Sequence, residues 1–270
     1  MKTENILPTE SVQVENARIR EAYERRPAGS ERYSWFDDGH LFIVQQLERR
    51  FLGAIERHGM APLYSRTILE IGCGNGHWLR EFIKWGATPE NLTGIDLLKD
   101  RVALAERLCP KGVKLQQANA AHLSFPDESF DVVLQATVFT SILDPELRAQ
   151  IAGEMLRVLK RTGRILWYDF HVNNPRNPDV LGVKKQEIAK LFPACRVTLQ
   201  KITLAPPVAR LLAPYSWMIC DLLEKIPWLC THYLGAIQRL PGSALNPSQA
   251  EVKAKVEPST LPEPEPQPQS

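Results

Sequence analysis

A chain of 270 residues, 44% apolar and 24% charged, is long enough for one large α/β domain with appendages. Its net charge of +2 gives no electrostatic reason to expect nucleic acid as a partner. Five cysteines (Cys73, Cys109, Cys195, Cys220 and Cys230) are odd in number and lack CxxC spacing, which predicts free thiols in a reducing, cytoplasmic setting and no metal centre.

Residues 1–14 are polar, carry acids and lack the apolar core of a signal peptide, so they read as a disordered lead. From Glu15 to Arg26 charges alternate with Ala17, Ile19, Ala22 and Tyr23, the pattern of a short amphipathic helix. Pro27-Ala-Gly-Ser30 stops it, and an aromatic loop from Arg32 to Asp38 follows. Gly39 to His58 predicts a second helix with Leu41, Val44, Leu47, Phe51, Leu52 and Ile55 on one face. Residues 15–62 therefore read as an N-terminal helical cap, and 63–240 as the main domain.

The main domain opens on Thr67 to Ile71, a β-branched apolar run typical of a buried parallel strand. It breaks into Gly72-Cys-Gly-Asn-Gly76, after which Trp78, Leu79, Phe82 and Ile83 recur at helical spacing to about Trp85. Asn91–Asp96 is a second strand, Lys99–Leu108 a helix, Val113–Gln117 a third strand and Phe130–Gln135 a fourth. Pro145–Leu159 is a helix with Asp144 as its cap, closed by Thr162-Gly163 before a fifth strand, Arg164–Phe170. A helix over Val183–Phe192, a sixth strand over Cys195–Leu204, an apolar helical stretch over 205–230 and a last strand over Thr231–Arg239 complete it. This alternation predicts a doubly wound parallel sheet. Residues 241–270 shift to Pro, Glu, Gln and Ser, a composition too polar to offset its ordering entropy, and read as a disordered tail. No run reaches the roughly 18 apolar residues of a membrane span.

The strand, glycine loop and helix around Gly72, Gly74 and Gly76 form a cofactor cradle. The spacing is one residue tighter than the dinucleotide pattern G-x-G-x-x-G, and no Lys-Ser/Thr follows as in a phosphate loop. Glu70 just before the loop would repel a pyrophosphate and suits a ligand bearing an amine or another cation. Asp96, about twenty residues further on, suits both hydroxyls of an unphosphorylated ribose, and Leu97 one face of an adenine.

Glu70-Ile-Gly-Cys-Gly-Asn-Gly76 together with Gly94-Ile-Asp96 resembles the class I S-adenosylmethionine-dependent methyltransferases, most of all their small-molecule, type 11-like branch. The resemblance covers about Thr67 to Arg164 well. It implies S-adenosylmethionine as cofactor and a Rossmann-like, seven-stranded, mostly parallel sheet with helices on both faces and an antiparallel last strand. The segment Asn119 to Asp131 resembles the family stretch that receives the adenine amine; Asn119 stands where the family has Asp, and its amide oxygen also accepts. The implied cofactor contacts are Glu70, Gly72, Cys73, Gly74, Gly76, Asp96, Leu97, Asn119, Ala120 and Gln135, the last beside the methionine part.

A methylsulfonium is already an activated donor, so alignment of the acceptor is the main requirement and a general base is optional. His171 and Asp169, at the end of the fifth strand, are the catalytic candidates, each with a structural role as the alternative. His77 reads as a shaper of the cofactor pocket. Tyr23, Tyr33 and Trp35 are candidates for an aromatic lid over the sulfonium. The stretch 205–230 could wall an apolar acceptor pocket, rest peripherally on a membrane or pair two copies; a monomer and a homodimer both remain open. The expected activity is O-methylation of a small molecule, apolar or lipid-linked. A non-catalytic cofactor-binding sensor and a Rossmann oxidoreductase are the alternatives.

Overall fold

Short apolar runs become the buried centre of a sheet because both of their faces are covered by helices. The computed structural model describes residues 10–25, 34–175 and 177–241. Its strands are β1 (Ile68–Ile71), β2 (Leu92–Asp96), β3 (Lys114–Gln117), β4 (Phe130–Ala136), β5 (Leu159–Phe170), β6 (Cys195–Leu204) and β7 (Cys230–Arg239). The helices are α1 (Glu10–Glu24), α2 (Asp38–Arg57), α3 (His77–Lys84), α4 (Lys99–Leu108), α5 (Pro145–Val158), α6 (Lys185–Leu191), α7 (Pro206–Leu212) and α8 (Trp217–Glu224). The sheet order is β3-β2-β1-β4-β5-β7-β6, with β7 antiparallel to both neighbours. This is the expected Rossmann-like, mostly parallel sheet.

Side chains alternate across the strands and divide the core in two. On one face Leu69, Ile71, Val133, Ile165 and Trp167 pack against Leu147, Ile151 and Met155 of α5. On the other, Ile68, Val132, Leu134 and Leu166 pack against Phe51, Ala54 and Ile55 of α2 and Leu79 and Phe82 of α3. Asp144 caps α5 as expected, accepting the Glu146 amide at 2.7 Å and the Leu147 amide at 2.9 Å.

Three boundaries differ from the sequence expectation. Helix α1 starts at Glu10, and Val12 is fully buried in the first core cluster, so residues 10–14 belong to the fold and not to a disordered lead. Helix α2 packs into the core through Phe51, while α1, of the two described N-terminal helices, lies over the ligand edge described below. Thr162 and Gly163 sit inside β5, which follows α5 directly. A Cβ at Gly163 would come within 2.9 Å of the Asp131 carbonyl, so the glycine there serves close strand approach rather than a helix end. The stretch 205–230 is two short helices, α7 and α8, separated around Pro214, which cannot continue a helix hydrogen-bond ladder.

The described residues up to Arg239 form one compact unit, and of the residues after it Leu240 and Pro241 are described. Most of the expected lead (1–9), the tail from 242 onward and Tyr33 lie outside the described residues. Among the described residues no helix is long and apolar enough to cross a membrane.

Candidate active site

The strand order reverses between β1 and β4, which leaves a crevice at their carboxyl ends, the usual ligand position in such sheets. A cavity of about 290 Å³ opens there. Gly72 and Gly74 line it after β1, Asp96, Leu97 and Leu98 after β2, Asn119 and Ala120 after β3, and Thr137 and Val138 after β4. Ile142, Leu147 and Ile151 form an apolar wall.

The glycine loop needs its glycines for two different reasons. Gly74 has φ +54°, and a Cβ added to it meets nothing within 4 Å, so its bare backbone faces open space. Gly76 has φ +74°, and a Cβ there would lie 2.4 Å from Cys109 Sγ, so it permits close packing under the loop. Asp96 ties the loop to β2: its Oδ2 accepts the Gly74 amide at 2.8 Å and its Oδ1 the Leu98 amide at 2.9 Å. Burial pushes the Asp96 carboxyl above its usual range, against those two amides and the charge of Arg101. Asn119 Oδ1 accepts the Ala121 amide at 3.0 Å, which sets the turn that brings Asn119 and Ala120 to the cavity.

Several expected contacts do not line the cavity. Glu70 shares the α3-side face with Ile68, because β1 side chains alternate. Its carboxyl lies beneath the first turn of α3, where burial, with the charge of Asp96 added, raises it well above the usual range. One of its oxygens has no partner among the described residues. Glu70 is thus a buried acid behind the loop and does not line the cavity. Cys73 is buried with its thiol against Gly94, and burial raises its pKa. Gln135 is fully buried; its Oε1 accepts the Val138 amide at 3.3 Å and its Nε2 donates to the Tyr168 carbonyl at 3.4 Å. These three, with Gly76, support the cradle from behind.

The catalytic candidates also stand apart from the cavity. Asp169 is fully buried, and its carboxylate accepts the amide and hydroxyl of Thr140 and the amide of Phe170, an anchor for the 3-10 turn Phe139–Ser141. Burial pushes its pKa up to about 6 against those bonds. His171 is buried, with its ring centroid 4.5 Å from that of Tyr233, and burial lowers its pKa. His77, half-buried at the start of α3, packs on Trp78 at 5.0 Å and does not line the cavity. Trp35 is 57% exposed, so the only described lid aromatic at the cavity is Tyr23.

What sequence reasoning missed is the full role of α1. Asn16, Ile19 and Tyr23 line the cavity. Glu15 accepts the Leu143 amide, Arg18 Nη2 donates to the Ser141 carbonyl at 2.6 Å, and the Tyr23 hydroxyl is 3.3 Å from Ser141 Oγ. The Arg101 guanidinium stands 5.6 Å over the Tyr23 ring. Thr137 was missed too. It has φ +58°, a left-handed conformation that costs a β-branched residue about 1–3 kcal/mol.

Residues 68–163 match a family model described as a methyltransferase domain. That stretch holds the strand, glycine loop and helix whose motifs resemble the class I S-adenosylmethionine-dependent methyltransferases. The chain is 36% identical over 162 residues to 2-methyl-6-phytyl-1,4-hydroquinone methyltransferase of Synechocystis, with 53% of this chain and 48% of that protein covered. It is 30% identical over 139 residues to human EEF1A lysine methyltransferase 2, with 48% and 57% covered. The chain thus spans about half the length of the curated relatives it matches. A solved structure of a Pyrococcus horikoshii protein shares the fold, with a TM-score of 0.53 at 16% identity over 82% of this chain and 99% of that one.

Proposed function

We propose that this methyltransferase moves the methyl group of S-adenosylmethionine to an apolar small-molecule acceptor, with oxygen as the accepting atom. The observation that carries the reading is the cavity between the ends of β1 and β4, with the open face of Gly74 and the Asp96 carboxylate on its wall. In this reading Gly72 and Gly74 let the backbone approach the cofactor, Asp96 accepts the ribose hydroxyls, and Leu97, Asn119 and Ala120 bracket the adenine. The residues fit the group: two acceptor sites of Asp96 remain after its two amide bonds, and the wall of Ile142, Leu147 and Ile151 suits an adenine face.

Bound S-adenosylmethionine would supply a methyl carbon to a lone pair of the acceptor oxygen, the carbon–sulfur pair leaving with sulfur and the acceptor's hydroxyl proton passing to solvent. The contribution of the chain is alignment, worth about 7–11 kcal/mol when well oriented, and exclusion of water by α1. We favour a quinol-like or lipid-like acceptor over a protein lysine. The outer surface of α7, α8 and the turn after them supports this class, since Leu211, Tyr215, Met218, Leu222 and Trp228 are exposed there. We read that ridge as a peripheral contact with the membrane that dissolves the acceptor. It does not wall the cavity. The five free thiols suit a reducing cytoplasm.

The test is transfer of labelled methyl from S-adenosylmethionine to three offered acceptors: a prenylated hydroquinone, a long-chain fatty acid and a lysine peptide. Label in either lipid, as an oxygen-linked methyl, is expected. Label confined to the peptide would overturn the acceptor class, and a carbon-linked methyl would overturn the atom.

A further inference from the structure

The geometry points to Thr137 as the residue that orients the acceptor, its hydroxyl oxygen accepting a hydrogen bond from the acceptor's O–H opposite the glycine loop. This rests on the methyltransferase reading above. Thr137 stands at the end of β4, in the cavity, next to the strand whose end carries Gly72. The Val138 side chain beside it fills the space where a Gly72 Cβ would lie, 2.6 Å away. The end of β4 and the glycine loop therefore face each other at contact distance.

The backbone at Thr137 is left-handed, a conformation that suits glycine or asparagine and that a β-branched residue adopts only under constraint. The constraint comes from elsewhere. The Thr137 amide donates to the Tyr168 carbonyl at 2.8 Å, and Gln135 Oε1 takes the Val138 amide at 3.3 Å. Neither bond uses the Thr137 side chain, so the turn does not need a threonine to exist. Among the described residues the hydroxyl itself donates to the adjacent Ala136 carbonyl, at 2.7 Å, which leaves its lone pairs to face the cavity's ligand.

Thr203 is the instructive contrast. It also has a positive φ, +65°, but is buried, with its hydroxyl 3.2 Å from the Tyr168 hydroxyl and its amide held by Glu224 at 3.0 Å. Its side chain is part of the packing, whereas that of Thr137 borders open cavity. A strained residue whose side chain faces the ligand space, on a turn fastened by others, is placed for contact with a ligand.

Three variants of the full chain test this, with S-adenosylmethionine binding by calorimetry, melting temperature, and turnover of a prenylated hydroquinone as readouts. Thr137→Val keeps the branched shape and removes the hydroxyl; it should bind cofactor within about twofold of wild type and lose about tenfold or more in kcat/KM. Thr137→Ser should keep kcat/KM within about threefold. Thr137→Gly should melt at or above the wild-type temperature while losing activity like the valine variant. Wild-type kcat/KM in Thr137→Val overturns the proposal, as does a melting point lower by more than about 5 °C in Thr137→Gly, which would make the residue structural. A wild-type chain that binds no S-adenosylmethionine would count against the methyltransferase reading instead, and the melting arm still decides whether Thr137 is strained for its site.

Discussion

The carboxylate of Asp96 fastens Gly74: Oδ2 accepts the Gly74 amide at 2.8 Å, while Oδ1 accepts the Leu98 amide at 2.9 Å. One side chain thus sets the loop after β1 and the start of α4, and still has lone pairs to offer a ligand. Asp96→Asn keeps the shape but turns one acceptor into a donor facing an amide. Losing such a charged, part-buried bond costs about 1.5–3 kcal/mol, so cofactor affinity should fall about ten- to a hundredfold. Calorimetry with S-adenosylmethionine measures this, and equal affinity would remove Asp96 from the ribose site.

The glycines separate packing from binding. In Gly76→Ala the new methyl meets Cys109 Sγ at 2.4 Å in a left-handed backbone, so stability should drop by about 2 kcal/mol or more. In Gly74→Ala it meets no protein atom within 4 Å, leaving a backbone cost of about 1–2 kcal/mol. Cofactor affinity should suffer more than stability there, because the methyl enters the cavity. Thermal melts and calorimetry of both variants check the contrast; an equal loss of stability in the two would contradict it.

Helix α1 is held over the cavity by Glu15. Burial opposes its charge, but Arg18 and the Leu143 and Asp144 amides together hold the carboxyl below its ordinary value of 4.5. A carboxyl depressed in the folded state stabilises above its unfolded value, and that contribution is lost as pH falls through the folded value. Docking of α1 should therefore be unaffected from neutrality down to about pH 5 and weaken below it. Glu15→Gln should expose α1 amides to hydrogen exchange already at pH 7. Wild-type protection in that variant would show that the carboxylate does not hold the helix.

Asp169 behaves in the opposite sense. Its pKa is pushed up to about 6 from 3.8, so between those values the folded chain holds a proton that the unfolded chain has released. This group makes stability decline as pH rises through that window, with no further change above it. Asp169→Asn should remove that slope. Urea midpoints of the two proteins at pH 4.5 and 7 measure it; a parallel pH dependence would refute the assignment.

The cradle was legible because strand, glycine loop and helix are contiguous, and because Asp96 is a charged residue at the end of an apolar run. The burial of Glu70 was not legible, because sequence spacing puts it beside the loop but does not say which face of β1 it takes; the face depends on α3 lying above it. Asp169 and His171 read as catalytic from their position at the end of β5, yet burial by Thr140 and Tyr233, which are distant in sequence, decides their roles. The start of α1 was hidden because Val12 is an isolated core residue in a polar segment, and only docking on the sheet buries it. The left-handed turn at Thr137 has no sequence mark at all, since threonine is a poor choice for it.

The most direct test of the central claim, that the cavity between β1 and β4 holds S-adenosylmethionine, is a calorimetric titration of the full chain and of Gly74→Val, with melts to confirm that the variant is folded. The account predicts one cofactor per wild-type chain and no measurable binding by the folded variant. Absence of binding to the wild-type chain, or equal binding by the variant, would contradict it.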